Sequence, residues 1–299
     1  MLRRLPAHLA TLLLASVLLA ACATAPRMSY GVMPSLAMRG ARMHYAVYAP
    51  RDLRPDERLP LVVLLHGGGD DVRSFDRHAV GQAFDRALAS GEIPRVVVVL
   101  PEGDLGFWAN WADGSRRYRD WVLDDLVPHT QSTYHTQGCP EGCQLMGVSM
   151  GGSGALAFML HRPGFFRSVA VISAPIFDAR DMQKYSDDRL MQILVPMHRI
   201  WGTPTPHGLA QQDPFQRWQT PADLQGTHLT LAYASGDRPG IPRGNRRLHR
   251  VLEARGVPHD IFVFPGHHGW ESWTPVFLRV LHDELGTDHD APASALDSN

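Results

Sequence analysis

Leu145-Met146-Gly147-Val148-Ser149-Met150-Gly151-Gly152 is the stretch that decides the fold. An apolar segment runs into a Gly-x-Ser-x-Gly pentapeptide, and Gly151 to His161 reads as a helix that Pro163 ends. A serine on a sharp strand-to-helix turn is pushed up off its sheet with the hydroxyl exposed. Gly147 and Gly151 suit such a turn because strand and helix approach too closely there for side chains. Taken alone the pentapeptide is a weak signal, since a glycine-rich turn with an idle serine has the same letters. The surrounding chain decides between the two readings.

Working outward, Arg42 to Tyr48 alternates and reads as an edge strand. Leu61–Leu65, 96–100, 145–148, 168–173, 229–234 and 260–264 read as apolar runs, hence as strands buried on both faces. Helix-length amphipathic stretches lie between most of them, at 76–90, 115–134, 151–162, 243–255 and 272–285. Strands alternating with helices predict an α/β fold, a mostly parallel central sheet with helices on both faces. Residues 176–226 break the alternation. They hold Pro196, Pro204, Pro206, Pro214 and Pro221 with little period, and read as a cap-like insertion over the sheet.

The chain has 299 residues, enough for one large domain with a full core. Its 44% hydrophobic and 20% charged content is ordinary for a globular protein. A formal net charge of −1 without a basic block removes the electrostatic case for nucleic acid. No repeat of fixed period is present.

The first residues read as a targeting segment. Arg3 and Arg4 form a positive start, and the apolar run Leu9 to Leu19 is short for a bilayer span. It ends Leu19-Ala20-Ala21-Cys22, which resembles a bacterial lipobox. That resemblance implies cleavage before Cys22 and lipid on its thiol. The rival is an ordinary secretory signal. Cys22 carries the choice, because the chain has three cysteines and one stands at the required position. The expected product is exported to the bacterial cell envelope and held to a membrane by lipid. Ala23 rather than an aspartate implies the outer membrane in a Gram-negative cell. The expected organisation is a signal peptide over 1–21, a linker over 22–40, one catalytic domain over 41–286 and a disordered tail over 287–299.

Cys139 and Cys143 flank Pro-Glu-Gly just before the serine strand. In an exported protein a close pair reads as a disulfide, here one pinning the loop that delivers 144–148. A metal site with His135 is the rival, and it lacks a second ligand pair.

Ligands of open parallel sheets bind at the carboxyl ends of the strands. After Leu61–Leu65 comes His66-Gly67-Gly68-Gly69, where bare backbone N–H groups can face a developing oxyanion. Gly68 is the expected first donor, with Gly67 and Gly69 as rivals, and the N–H of Met150 the second. His66 reads as structural. The strand at 229–234 ends in Ser235-Gly236-Asp237, and that at 260–264 in Pro265-Gly266-His267-His268. Ser, Asp and His in this order, each at a strand end, match an α/β-hydrolase triad. A serine hydroxyl needs a neutral imidazole to take its proton, and the imidazole needs a carboxylate to fix its tautomer.

At these residues the chain resembles the esterase D / putative esterase group of α/β-hydrolases, over roughly 44–284. That group includes S-formylglutathione hydrolases, feruloyl and acetyl-xylan esterases, siderophore esterases and mycolyltransferases. The matching pieces include Leu64 to Asp70, Pro101-Glu102-Gly103, Asn110-Trp111 with Asp113-Gly114, Trp121 to Pro128 with Tyr134, Gly147 to Gly152, His161-Arg162-Pro163 with Phe166, and Pro265 to Trp273. The last resembles the family's Gly-Gly-His-x-Trp-x-x-Trp, with His267 replacing its second glycine. The resemblance implies Ser149 as nucleophile, His268 as base and Asp237 as acid. It implies a serine carboxylesterase acting on a small-molecule or glycan-linked ester. An acyltransferase of the mycolyltransferase type, or a non-catalytic binding protein on the same fold, are the alternatives. No metal or cofactor is called for. Trp108 and Trp111 follow the strand at 96–100 and read as pocket-shaping, substrate-binding residues, with packing under a long loop as the rival. Trp270 and Trp273 read as anchors of the final helix.

Overall fold

Within the central strands, alternate side chains go to opposite faces, and each face meets its own set of helices. The computed structural model describes residues 28–286, except 51, 189–194, 196, 203–204, 206–209 and 211. The leader with Cys22 and the tail at 287–299 lie outside the described residues. Eight strands form one sheet: β1 (Met28–Pro34), β2 (Arg42–Tyr48), β3 (Leu61–Leu65), β4 (Val97–Pro101), β5 (Cys143–Val148), β6 (Ser168–Ile172), β7 (His228–Ala234) and β8 (Asp260–Phe264). Their order is β1-β2-β4-β3-β5-β6-β7-β8. β1 and β2 run antiparallel to each other, β2 runs antiparallel to β4, and all pairs from β4 to β8 are parallel.

The longer helices are α1 (Val80–Ser90), α2 (118–134), α3 (Met150–His161), α4 (Ala179–Asp187), α5 (Gly240–Ala254) and α6 (Trp270–Leu285). On one face Leu61, Val63, Val99, Leu145, Val171 and Leu231 pack with Trp121 and Leu126 of α2, Ala155 and Phe158 of α3, and Leu248 of α5. On the other, Val62, Leu64, Val98, Met146, Ile172 and Ala232 pack with Phe84 of α1 and Phe277 of α6. The expected architecture is therefore present, a parallel sheet covered on both sides.

Four local expectations change. Met28–Pro34, inside the stretch read as a linker, is the sheet's first edge strand and pairs with β2 in the register Met28↔Tyr48 to Pro34↔Arg42. Arg42–Tyr48 is consequently an inner strand, and its last three residues are buried. β8 forms the other edge rather than a doubly buried strand, and Val263 is 52% exposed. The helix expected at 76–90 breaks at Ala79, whose φ of 55° lies in the left-handed region. α2 carries a π-helical stretch over Trp121–Leu126, just where Pro128 removes an N–H and crowds the carbonyl of Asp124.

Helix α6 is fastened to the start of β7 by charge. His228 Nδ1 bonds Glu284, and its Nε2 lies 3.2 Å from Asp260. The Glu284 hydrogen bond raises the His228 pKa above its ordinary value, ahead of the opposing effect of burial. A raised histidine pKa contributes stability that is full below the unfolded pKa and is lost as pH rises through the folded one. The melting temperature of His228→Gln is expected to fall furthest below that of the native chain near pH 5.5. The gap should shrink as pH rises past the ordinary histidine value and through the raised folded one. A gap that is constant over this range would contradict the assignment.

Candidate active site

Ser149 sits between β5 and α3 with φ 53° and ψ −118°, a backbone conformation that costs about 1–3 kcal/mol for a residue bearing a side chain. Its N–H donates to the carbonyl of Ile172 at 2.9 Å, which ties the turn to β6. The glycines around it are sterically required. A Cβ on Gly147 would stand 2.1 Å from the Gly151 carbonyl oxygen, and one on Gly151 would stand 2.1 Å from that of Leu65. On Gly152 it would meet the Ala174 Cβ at 2.7 Å. The turn holds Ser149 at the carboxyl edge of the sheet, as the pentapeptide implies.

His268 and Asp237 converge on it from the ends of β8 and β7. His268 Nε2 lies 2.9 Å from Ser149 Oγ, and its Nδ1 lies 2.6 Å from Asp237 Oδ1. The network assigns the tautomer: Nδ1–H donates to the carboxylate, so Nε2 is free to accept from the hydroxyl. The edge of Trp273 packs on the His268 ring, with centroids 4.9 Å apart. His267 turns away. Its N–H donates to Ser272 Oγ, and its Nδ1 lies 3.3 Å from the Gly236 carbonyl oxygen.

The Asp237 side chain is fully buried. Burial pushes its carboxyl up. The hydrogen bond from His268, the neighbouring Ser173 hydroxyl and the N–H of Ala234 outweigh that and hold the pKa below the usual carboxylate value. The Ser173 hydroxyl is buried and closes no hydrogen bond of ordinary length. It acts on the carboxylate as a nearby dipole. An ionised Asp237 favours the cationic form of His268 once that ring takes a proton.

The glycine loop after β3 lies against this serine. A Cβ placed on Gly67 would stand 3.4 Å from Ser149 Cβ, and one on Gly68 would stand 3.9 Å from Met150 Cβ. Met150 is the first residue of α3, so its N–H has no acceptor one turn earlier in the helix. His66 holds the loop, as expected. It is fully buried, with Nδ1 donating to the Gly67 carbonyl at 2.8 Å and Nε2 accepting from the Gly103 N–H at 3.2 Å.

Asp70 had no role in the sequence reading. Its carboxylate accepts from the Trp270 indole N–H at 3.1 Å and from Ser74 Oγ at 3.0 Å. The glycine loop is thereby fixed to the helix that follows His268. Trp270 and Trp273 anchor α6 in the core, as read, and Trp270 carries this additional bond.

Trp108 requires a correction. It is 0% exposed, donates from Nε1 to the His66 carbonyl at 3.2 Å, and fills the slot left by Gly103 and Gly154. A Cβ on either glycine would strike its side chain at 2.5–2.6 Å. Trp108 supports the loop from beneath as a fully buried side chain rather than a substrate contact. Trp111 is half-buried and lines a cleft with Gly69, Asp70, Asp71, Glu102, Asp104 and Arg116.

Ser149 and His268 open into a different cleft of about 430 Å³, bordered by Phe177, Tyr185 and Arg238 and by one side of α5. The first part of the 176–226 segment therefore stands at the site. Phe177 packs against Tyr185 and Trp201, and against Phe107 from the loop after β4. The later part is fastened to the body, with Arg255 donating to the carbonyls of Phe215 and Trp218 at 2.7 and 2.8 Å. Cys139 and Cys143 form a disulfide. Among the described residues no three His, Cys, Asp or Glu side chains are grouped to hold a metal ion.

The sequence profile of the putative esterase family matches residues 35–283. Esterase Rv1288 of Mycobacterium tuberculosis is 25% identical over 241 residues, which are 74% of this chain and 51% of that protein. The chain spans about half the length of the curated relatives it first matches. Among solved structures, a ferulic acid esterase superposes with a TM-score of 0.70 at 19% identity, covering 86% of this chain and 96% of that one. FphF, a fluorophosphonate-binding serine hydrolase of Staphylococcus aureus solved with substrate bound, gives 0.70 at 20% identity, covering 86% and 97%. These two likenesses establish the α/β-hydrolase fold.

Proposed function

The chain belongs to the putative esterase family, and from that premise we propose that it is a serine carboxylesterase working through an acyl-serine intermediate. The observation that carries this reading is the unbroken relay from Ser149 Oγ to His268 Nε2, and from His268 Nδ1 to Asp237, at 2.9 and 2.6 Å.

In the proposed cycle Ser149 Oγ attacks the ester carbonyl while His268 Nε2 takes its proton. The oxyanion is received by the N–H groups of Gly68 and Met150, which cost no reorganisation because the loop and the helix start are already held. The imidazolium, balanced by Asp237, gives its proton to the leaving alcohol. Water then attacks the acyl-serine with His268 again as base, and the acid is released. Phe177 and Tyr185 in the cleft over Ser149 support a substrate with an apolar or aromatic part, and Phe107 and Trp201 pack behind Phe177.

The test is product analysis of a neutral aryl ester with and without a sugar or glycerol acceptor. The hydrolase reading expects free acid to remain the main product at millimolar acceptor. Acyl-acceptor as the main product would move the assignment to acyl transfer by the same relay. A folded protein that releases neither would leave a binding role on this fold.

We further propose that Cys22 is lipidated and the enzyme held in the cell envelope. β1 runs in the same direction as β4, so Met28 lies at the end of the sheet away from Ser149. A six-residue tether reaches at most about 20 Å, so the site would face away from the membrane. Cys22→Ser is expected to move the protein from the membrane pellet to the soluble fraction and to abolish palmitate incorporation. Retention in the pellet would sink this part of the reading.

A further inference from the structure

The cleft over Ser149 and His268 carries an uneven charge. Arg238, Arg243 and Arg247 line it, against one carboxylate, that of Asp181. Arg247 pairs with Asp178 at 2.6 Å and lies over the Phe215 ring. Asp181 is engaged at the start of α4, where it accepts from the Asp178 N–H. The side chains of Arg238 and Arg243 have no acceptor among the described residues, and both residues are exposed.

This concentration is local, since the whole chain has a net charge of −1. It is also one-sided. β5 separates the loops after β3 and β4 from those after β6 and β7. On the β4 side the cleft beyond the glycine loop is lined by Asp70, Asp71, Glu102 and Asp104 against Arg116 alone. Asp71 there is paired with Arg77 at 2.8 Å, so the contrast is between a basic lining beside Ser149 and His268 and a more acidic cleft beyond the glycine loop.

Resting on the esterase reading above, we infer that Arg238 and Arg243 are specificity residues that favour esters bearing an anionic group, carboxylate or phosphate, in the part that lies along α5. Such a group gains two guanidinium neighbours there and is repelled from the opposite cleft. Neither arginine touches the scissile bond. They act on the orientation and capture of substrate, so their effect falls mainly on KM.

The test compares matched esters, 4-butyryloxybenzoate against its methyl ester, and the phenyl half-ester of adipic acid against phenyl hexanoate. The first pair carries the charge on the leaving alcohol, the second on the acyl chain. In at least one pair the anionic ester is expected to have the higher kcat/KM by roughly five-fold or more at low salt. The preference should fall towards one in about 0.5 M sodium chloride and in Arg238→Gln/Arg243→Gln, through KM. Ratios near one in both pairs, or a preference that survives the double substitution, would overturn the inference. Fluorophosphonate labelling of the native chain separates the two levels. If the native chain fails to label, the esterase reading fails. If it labels but shows no charge preference, the inference alone fails.

Discussion

Ser149→Ala is expected to lower kcat for ester hydrolysis by about 10⁴–10⁶-fold. The substitution removes one oxygen whose recorded partner is His268 Nε2. The methyl group that remains needs the same backbone angles as serine, so the change adds no strain and leaves the turn in place. The melting temperature should stay within a few degrees of the native value. His268→Ala should cost about as much, and the double variant little more than either single one, because nucleophile and base act as a unit. Additive losses in the double variant would mean that the two residues contribute separately and that the relay is not the working device.

Gly151→Ala is expected to be a severely damaging single-methyl change to the fold near this site. The added Cβ would lie 2.1 Å from the Leu65 carbonyl oxygen, 2.6 Å from the Leu65 carbonyl carbon and 2.7 Å from the His66 carbonyl oxygen. All three are backbone atoms at the end of β3, and the Leu65 main chain is held in the ladder with β5. Relief requires α3 to move away from the sheet, which opens the core and also shifts Met150 and Ser149. A loss of about 3 kcal/mol or more is expected, together with most of the activity. Gly138→Ala is the control, since nothing lies within 4 Å of a Cβ there. Urea melts of the two variants read the difference. Near-native stability of Gly151→Ala would show that helix and strand are not in the close contact described.

Much of this site could be read in the chain because its chemistry sits at strand ends, and strand ends have a local signature. Ser149, Asp237 and His268 each follow an apolar run within four residues, and the fold then brings them within hydrogen-bonding distance. The choice of His268 over His267 is consistent with the geometry, since only the His268 ring faces Ser149.

What escaped depends on neighbours far along the chain. Met28–Pro34 was obscured because Gly31 interrupts its alternation. That glycine stands opposite Tyr45 in the ladder, and a Cβ there would meet the tyrosine ring at 2.2 Å. Trp108 is buried by a slot between Gly103 and Gly154, which no local pattern reveals. Asp70 and Trp270 are 200 residues apart. The letters of β8 are as apolar as an inner strand's, but strand order decides which strand is the edge, and order is a property of the whole sheet. The basic lining of the Ser149 cleft arises only when α5 and the chain after β6 stand beside each other, which no local pattern marks.

The central claim is that Ser149 is an activated nucleophile, and its most direct test is labelling with a fluorophosphonate followed by peptide mapping. The protein used should begin after Cys22, and a parallel sample should carry His268→Ala. A single adduct on the peptide containing Ser149, lost in the His268 variant, is the predicted result. An unlabelled, correctly folded protein, or an adduct on another residue, would contradict the account.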